Sequence, residues 1–188
     1  SATDAAAIFT VDLLSGATDV DTTDTLTVSD LAVTSGDDTG ITINTDNTLS
    51  VDPSAYASLG AGITEEISYS YDVEDSNGGS VAQTATVTIT GTNDTPTVSG
   101  VVVDTAMDAD AMFTVDLLSG ATDVNAMDTL TVTNLTTSGD ATRITINTDN
   151  TLSVDPSAYA SLGAGIIEVI SYSYNVVDSN GGSIAQTA

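Results

Sequence analysis

The side chains of this chain that could do chemistry are almost all carboxylates, and they recur in loops. Asp19, Asp21 and Asp24 lie in SGATDVDTTD (15–24), and Asp75 opens DSNGG (75–79). The same loops return as Asp123, Asn125 and Asp128 in SGATDVNAMD (119–128), and as Asp178 in DSNGG (178–182). Between the copies, GTNDTP (91–96) brings Asn93 and Asp94. Of the 27 acidic residues 23 are Asp, the short carboxylate that suits turns, caps and hard cations. Two like charges ~4 Å apart repel by about 4 kcal/mol at an effective dielectric of ~20, so carboxylates that converge call for a divalent counterion. The absence of His and Cys excludes zinc-type and copper-type sites, and a flexible all-oxygen cage favours calcium over magnesium.

To bring these groups together, the chain must place its loops at common ends of a scaffold. The sequence is a tandem repeat: FTVDLLSGATDV begins at Phe9 and again at Phe113, and the stretch from Ile41 to Ile63 returns from Ile144 to Ile166 with a one-residue slip between SGDDTG (35–40) and SGDATR (138–143). Within the first copy, Phe9, Val11 and Leu13 alternate with polar residues. Leu26, Val28, Leu31 and Val33 do so with a phase slip at Asp30 that predicts a bulge. Ile41 to Val51 reads as a hairpin around TDN, and Ile67, Tyr69, Tyr71 and Val73 mark the clearest strand. DPSAYASLGAG (52–62) is too rich in Gly, Ala and Ser for a strand and predicts a crossover loop with one helical turn, Tyr56 and Leu59 plugging the end of the core.

About seven short strands per roughly 100 residues predict an all-β chain of two Greek-key β-sandwiches, immunoglobulin-like or cadherin-like, joined end to end at residues 1–95 and 96–188. Val98, Val101 and Val103 are expected to open the second sandwich with a strand from Thr97 to Asp104. The first sandwich is expected to lack its counterpart, because Ser1 to Ala7 aligns with Thr105 to Ala111. The second is expected to stop at Ala188 with its closing strand incomplete. In this arrangement Asn93 and Asp94 meet Asp123, Asn125, Asp128 and Asp178, while Asp19, Asp21, Asp24 and Asp75 form the matching group of the first unit. Asp46 and Asp149 are expected at the same ends.

Composition excludes several classes. A net charge of −26 with a single basic residue, Arg143, makes nucleic acid and anionic membranes poor partners. At 40% hydrophobic residues the chain still has the means to fold. No disulfide can form, and no apolar run reaches the ~18 residues of a membrane-spanning helix. Catalysis is not expected, since neither His, Lys nor Cys is present and no Ser has a plausible base beside it. The outward threonines Thr84, Thr86, Thr88 and Thr90 offer the rival reading, a hydroxyl array for glycan or ice.

TVTITGTNDTP (86–96), preceded by the Tyr-rich strand and DSNGG, resembles the repeats of large bacterial surface adhesins of the VCBS and RTX type, with bacterial immunoglobulin-like or cadherin-like folds. GTNDTP is also similar to the cadherin calcium linker, in which an Asn-Asp pair before Pro contributes ligands. By that likeness Asp123 and Asn125 match the Asp-x-Asp loop, with Asn as the second member, and Asp178 matches the acid before the last strand. The resemblance implies extracellular extender repeats on a bacterial cell surface. Such repeats are monomeric, contact their neighbours in the chain, and hold a distal ligand-binding domain for attachment or biofilm formation, with calcium stiffening the joints. Unit two departs from unit one by Asn125 for Asp21, Asn175 for Asp72, Val177 for Glu74 and Val169 for Glu66, so equal calcium stoichiometry is not implied.

Overall fold

The computed structural model describes residues 1–188, which divide into two compact units, Ser1–Thr92 and Asn93–Ala188. Unit 1 is built from β1 (Ala2–Thr3), β2 (Phe9–Asp12), β3 (Thr27–Ser35), β4 (Ile41–Ile43), β5 (Thr48–Val51), β6 (Thr64–Glu74) and β7 (Ser80–Thr90). These form two sheets, ordered β1-β7-β6-β3 and β2-β5-β4. Both hold strands that alternate in burial, so each sheet turns one apolar face inward. Ile67, Tyr69, Tyr71, Val87 and Ile89 come from the first sheet. Leu49 and Val51 come from the second, and with Leu13 and Tyr56 they complete one core. Tyr56 sits in the single 3-10 turn, Pro53–Tyr56, which starts on an Asp52 side chain accepting from the Ser54 amide.

Unit 2 repeats this plan with β9 (Phe113–Asp116), β11 (Thr131–Ser138), β12 (Ile144–Ile146), β13 (Thr151–Val154), β14 (Ser171–Val177) and β15 (Ser183–Thr187). Its two main sheets are β11-β14-β15 and β12-β13-β9, and a two-residue pair joins β8 (Thr97–Val98) to β10 (Ala121–Thr122). Leu117, Leu152, Tyr172, Tyr174 and Val176 form its core. The chain is thus all-β, as the strand periodicity predicts, and the expected bulge is present in both units. The pairing register shifts between Ser29 and Ala32 and again between Thr133 and Thr136, with Asp30 and Asn134 in the left-handed region at φ 51 and 54.

The strand ends hold three features that alternation does not show. Unit 1 opens with a two-residue strand in which Ala2 and Thr3 pair in parallel with Ile89 and Thr90, a segment that aligns with 106–107 and not with Thr97–Val98. This edge is held by Asp4, only 4% exposed, whose carboxylate accepts from the Thr92 amide at 3.0 and 3.1 Å and from its hydroxyl at 2.6 Å. In unit 2 the first strand covers only Thr97–Val98, and Val101 and Val103 are exposed. Finally, β14 begins at Ser171, four residues later than the matching start of β6. In unit 1 that segment pairs with Val87 to Thr90. In unit 2 its residues Ile167 and Val169 are exposed.

One buried tyrosine per unit pins a loop from across the sandwich. The Tyr71 hydroxyl donates to the Leu13 carbonyl at 2.9 Å, and the Tyr174 hydroxyl to the Leu117 carbonyl at 2.8 Å. The Tyr69 hydroxyl, equally deep, has no partner. Removing a hydroxyl that satisfies a buried carbonyl costs about 1 kcal/mol or more, whereas removing an unpartnered one costs nothing. Denaturant unfolding should therefore show Tyr71→Phe and Tyr174→Phe less stable by about 1–2 kcal/mol and Tyr69→Phe at least as stable as the parent. Equal losses in all three would contradict this account.

Candidate metal centre

Two loops bring the carboxylates together in each unit: the one between the four-residue strand, β2 or β9, and the long strand that follows, β3 or β11, and the turn before the last strand. In unit 1 the oxygens of Asp19, Asp24 and Asp75 lie within 4.8 Å of one another, and in unit 2 those of Asp123, Asp128 and Asp178 do the same. The DSNGG turn builds its half around its own first residue. Asp75 accepts from the Asn77 and Gly79 amides at 2.7 and 2.9 Å, and Asp178 from those of Asn180 and Gly182 at 2.7 and 2.9 Å. A side chain on Gly79 or Gly182 would collide with that carboxylate, so the second glycine is there for close approach. The loops SGATDVDTTD and SGATDVNAMD use the same device: Asp19 accepts from the Asp21 amide at 2.7 Å and Asp123 from the Asn125 amide at 2.9 Å.

Unit 2 adds the residues that follow Thr92. The Asn93 amide donates to Asp178 at 3.1 Å, and the Asp94 backbone amide donates to the Asn125 side-chain oxygen at 2.8 Å. Asn125 and Asp178 are consequently buried, at 2% and 5% exposure, whereas Asp19 and Asp21 are exposed. Inside this group three oxygens are buried without a hydrogen-bond partner: Asn93 Oδ1, Asp123 Oδ2 and Asp128 Oδ2. Buried acceptors left unpaired are costly, and two of these belong to ionisable carboxylates drawn together. A hard divalent cation fits such a donor set, since it takes six to eight oxygens and needs no proton from them. Asp46 and Asp149 are not part of either group. Their side chains accept from the Thr48 and Thr151 hydroxyls at 2.6 and 2.7 Å, closing the hairpin turns.

Two features of the centre are not evident from acidic spacing. Asn77 donates to both Asp24 oxygens at 2.9 and 2.8 Å, and Asn180 donates to Asp128 at 2.6 Å, with Ser76 and Ser179 as further donors at 3.3 and 3.0 Å. The identical DSNGG copies were the available signal for them.

The sequence model of the cadherin-like domain matches residues 1–90 and again 92–188. The chain belongs to the cadherin-like domain family. Cadherin-like domains are an adhesion-type extracellular fold, usually calcium-binding and typically without catalytic activity. No helix of this cadherin-like chain is long and apolar enough to cross a membrane. Among solved structures it is similar to mouse protocadherin-24 EC1-3, at 14% identity over 85% of this chain and 57% of that one, with a TM-score of 0.30. A second similar structure is the SGBP-B of the Bacteroides ovatus mixed-linkage glucan utilization locus, in complex with a mixed-linkage heptasaccharide. There the identity is 14% over 98% of this chain and 40% of that one, with a TM-score of 0.29. Both are too remote to speak for this chain's ligands, and it spans less than two thirds of either. No curated protein matches the sequence significantly.

Burial pushes the Asp178 carboxyl up, but hydrogen bonds from Asn93, Asn180 and Gly182 outweigh it and leave the pKa below the ordinary value. A carboxylate depressed in the folded state contributes stability above its unfolded pKa and loses it as pH falls through the folded one. In chelator, the Asp178 side-chain carbon should therefore titrate below the ordinary Asp midpoint by NMR. Asp178→Asn should flatten the acid limb of unit 2 unfolding. A midpoint at or above the ordinary value would mean that burial outweighs the hydrogen bonds.

Proposed function

We propose that the chain is a pair of calcium-stiffened extender repeats of a bacterial cell-surface adhesin, spacing a distal ligand-binding domain from the cell for attachment or biofilm formation. The observation that carries the reading is the set of unpartnered buried oxygens of Asn93, Asp123 and Asp128 beside Asp178. Asn93, Asp94, Asp123, Asn125, Asp128 and Asp178 would hold calcium in unit 2. Asp19, Asp24 and Asp75, with Asp21 beside them, would hold a more exposed ion in unit 1. The ion would supply charge neutralisation and fix the loops that carry these residues.

The mechanical consequence follows from where the chain is tied. Thr92 is held by Asp4 within unit 1, and the next residue, Asn93, is held by Asp178 within unit 2. By the likeness to the cadherin linker, an ion that orders Asn93 and Asp94 would stiffen the joint between repeats. Extracellular modules bind calcium with Kd of about 10⁻⁴ to 10⁻³ M, which leaves them empty in cytosol and filled outside. Free calcium at ~100 times Kd would add about 2.7 kcal/mol per site, so two sites together contribute on the scale of a domain's whole stability. The glycan or ice reading draws less support. Of the four threonines of β7, Thr84 and Thr86 are exposed while Thr88 and Thr90 are half-buried, so the hydroxyl row is not a free flat face.

Small-angle scattering with calcium and with chelator tests the reading. Calcium should narrow the spread of the maximum dimension, and Asp94→Ala or Asp123→Ala should abolish that change while each sandwich stays folded. Asp149→Ala, confined to a hairpin turn, should leave it intact. Indistinguishable scattering in calcium and chelator would sink the spacer mechanism.

A further inference from the structure

The chain has ten asparagines, and two of them, Asn77 and Asn180, precede glycine. Both lie in the DSNGG turns, and both point their amide at a carboxylate of a candidate metal group: Asn77 at Asp24 and Asn180 at Asp128. Both side chains are exposed. The glycines that follow take φ of 96 and 102, and an added Cβ on either would meet nothing within 4 Å. An asparagine followed by an unhindered glycine is the arrangement in which a backbone nitrogen can reach the preceding side-chain carbon, because no Cβ shields it.

We propose that Asn77 and Asn180 are self-modification sites through which the protein converts a neutral donor of each metal group into an additional carboxylate. This proposal rests on the calcium reading above. In the first step the Gly78 nitrogen attacks Asn77 Cγ, a C–N bond forms, and the side-chain nitrogen leaves as ammonia with the proton given up by the glycine nitrogen. In the second, solvent water opens the resulting succinimide ring: at the former side-chain carbonyl it restores the backbone and leaves an aspartyl side chain, and at the main-chain carbonyl it leaves an isoaspartyl link, with the backbone running through the former side chain and the main-chain carboxylate free. One water is consumed, one ammonia is released, and nothing is oxidised. The same steps apply at Asn180 and Gly181.

The consequence depends on the cation. Asn77 Nδ2 is 2.9 and 2.8 Å from the two Asp24 oxygens, so without a cation the new oxygen meets a like charge at contact distance. With a divalent cation bound, the same oxygen becomes a further ligand of a group whose affinity rises with its charge count. Conversion therefore raises calcium affinity and lowers stability in chelator, a change that ageing makes and the chain cannot reverse.

The test ages the full chain in warm, mildly alkaline buffer and locates converted asparagines by peptide mass spectrometry. Calcium titration and melting, in calcium and in chelator, then compare fresh and aged protein with Asn77→Asp/Asn180→Asp and Asn77→Gln/Asn180→Gln doubles. The Gln variants keep an amide donor but form the ring poorly. Conversion should concentrate at residues 77 and 180. The aspartyl form of aged protein, separated by chromatography from the isoaspartyl form, and the Asp double should bind calcium about tenfold tighter than fresh protein, as an added carboxylate in the cage predicts. Both should melt lower in chelator, and the Gln double should resist all of these changes with age. Conversion spread evenly over the ten asparagines, or absent at both turns, overturns the proposal, as does conversion with unchanged calcium affinity. If fresh protein binds no calcium, the metal reading fails with it, and the mass spectra alone then say whether the turns react.

Discussion

Negative charge without counter-charge is the constraint on which this structure depends. One arginine cannot neutralise 27 acids, so carboxylates are stabilised by neutral donors supplied a few residues away in the same chain. Asp12, Asp19, Asp52, Asp75, Asp116, Asp123, Asp155 and Asp178 each accept from the backbone amide two residues on. This device shapes the loops and caps the 3-10 turns, and it aims one oxygen of each carboxylate at the backbone. The second oxygen is left to face outward or inward. Where Asp123, Asp128 and Asp178 converge, the inward-facing oxygens of Asp123 and Asp128 find no protein partner. The loop chemistry and the candidate metal centre therefore share one cause.

The two units handle this constraint differently because they differ in cover rather than in plan. Their carboxylate groups are made by the same two loops, yet Asn93 and Asp94 pack onto the unit 2 group and bury Asn125 and Asp178. At the Asp-x-Asp position the buried unit carries an amide, Asn125, and the exposed unit carries Asp21. That exchange fits the cost of burial: an amide can serve as an oxygen donor and accept from the Asp94 amide without adding charge to a dry site.

How far the sequence discloses this arrangement depends on the range of each interaction. Strand alternation announces β6 through Ile67, Tyr69 and Tyr71, and the broken phase at Asp30 announces a bulge, because both are local patterns of a period-2 backbone. The carboxylate groups are legible as well, since repetition makes the loops SGATDVDTTD and DSNGG stand out. Asp4 is not legible: it looks like part of a polar lead, and its role depends on Thr92, 88 residues away. Val101 and Val103 mislead for the opposite reason: alternation shows only that a segment could pair, and although the Val102 amide donates to the Thr187 carbonyl at 3.1 Å, the segment does not go on to form a strand.

The depth of the tyrosines gives each sandwich an optical signature. With six tyrosines and no tryptophan, near-ultraviolet absorption and emission come from Tyr56, Tyr69 and Tyr71 in unit 1 and Tyr159, Tyr172 and Tyr174 in unit 2. Burial raises the phenol pKa of Tyr69 and Tyr174 to about 12, so each core contains a phenol that stays protonated when a solvent-exposed one has already ionised. A raised phenol contributes stability that is complete below its unfolded pKa and is lost as pH climbs through the folded one. Base therefore attacks this protein from within its cores while acid attacks it at its loops, and phenolate absorbance at alkaline pH reports the opening of the sandwiches.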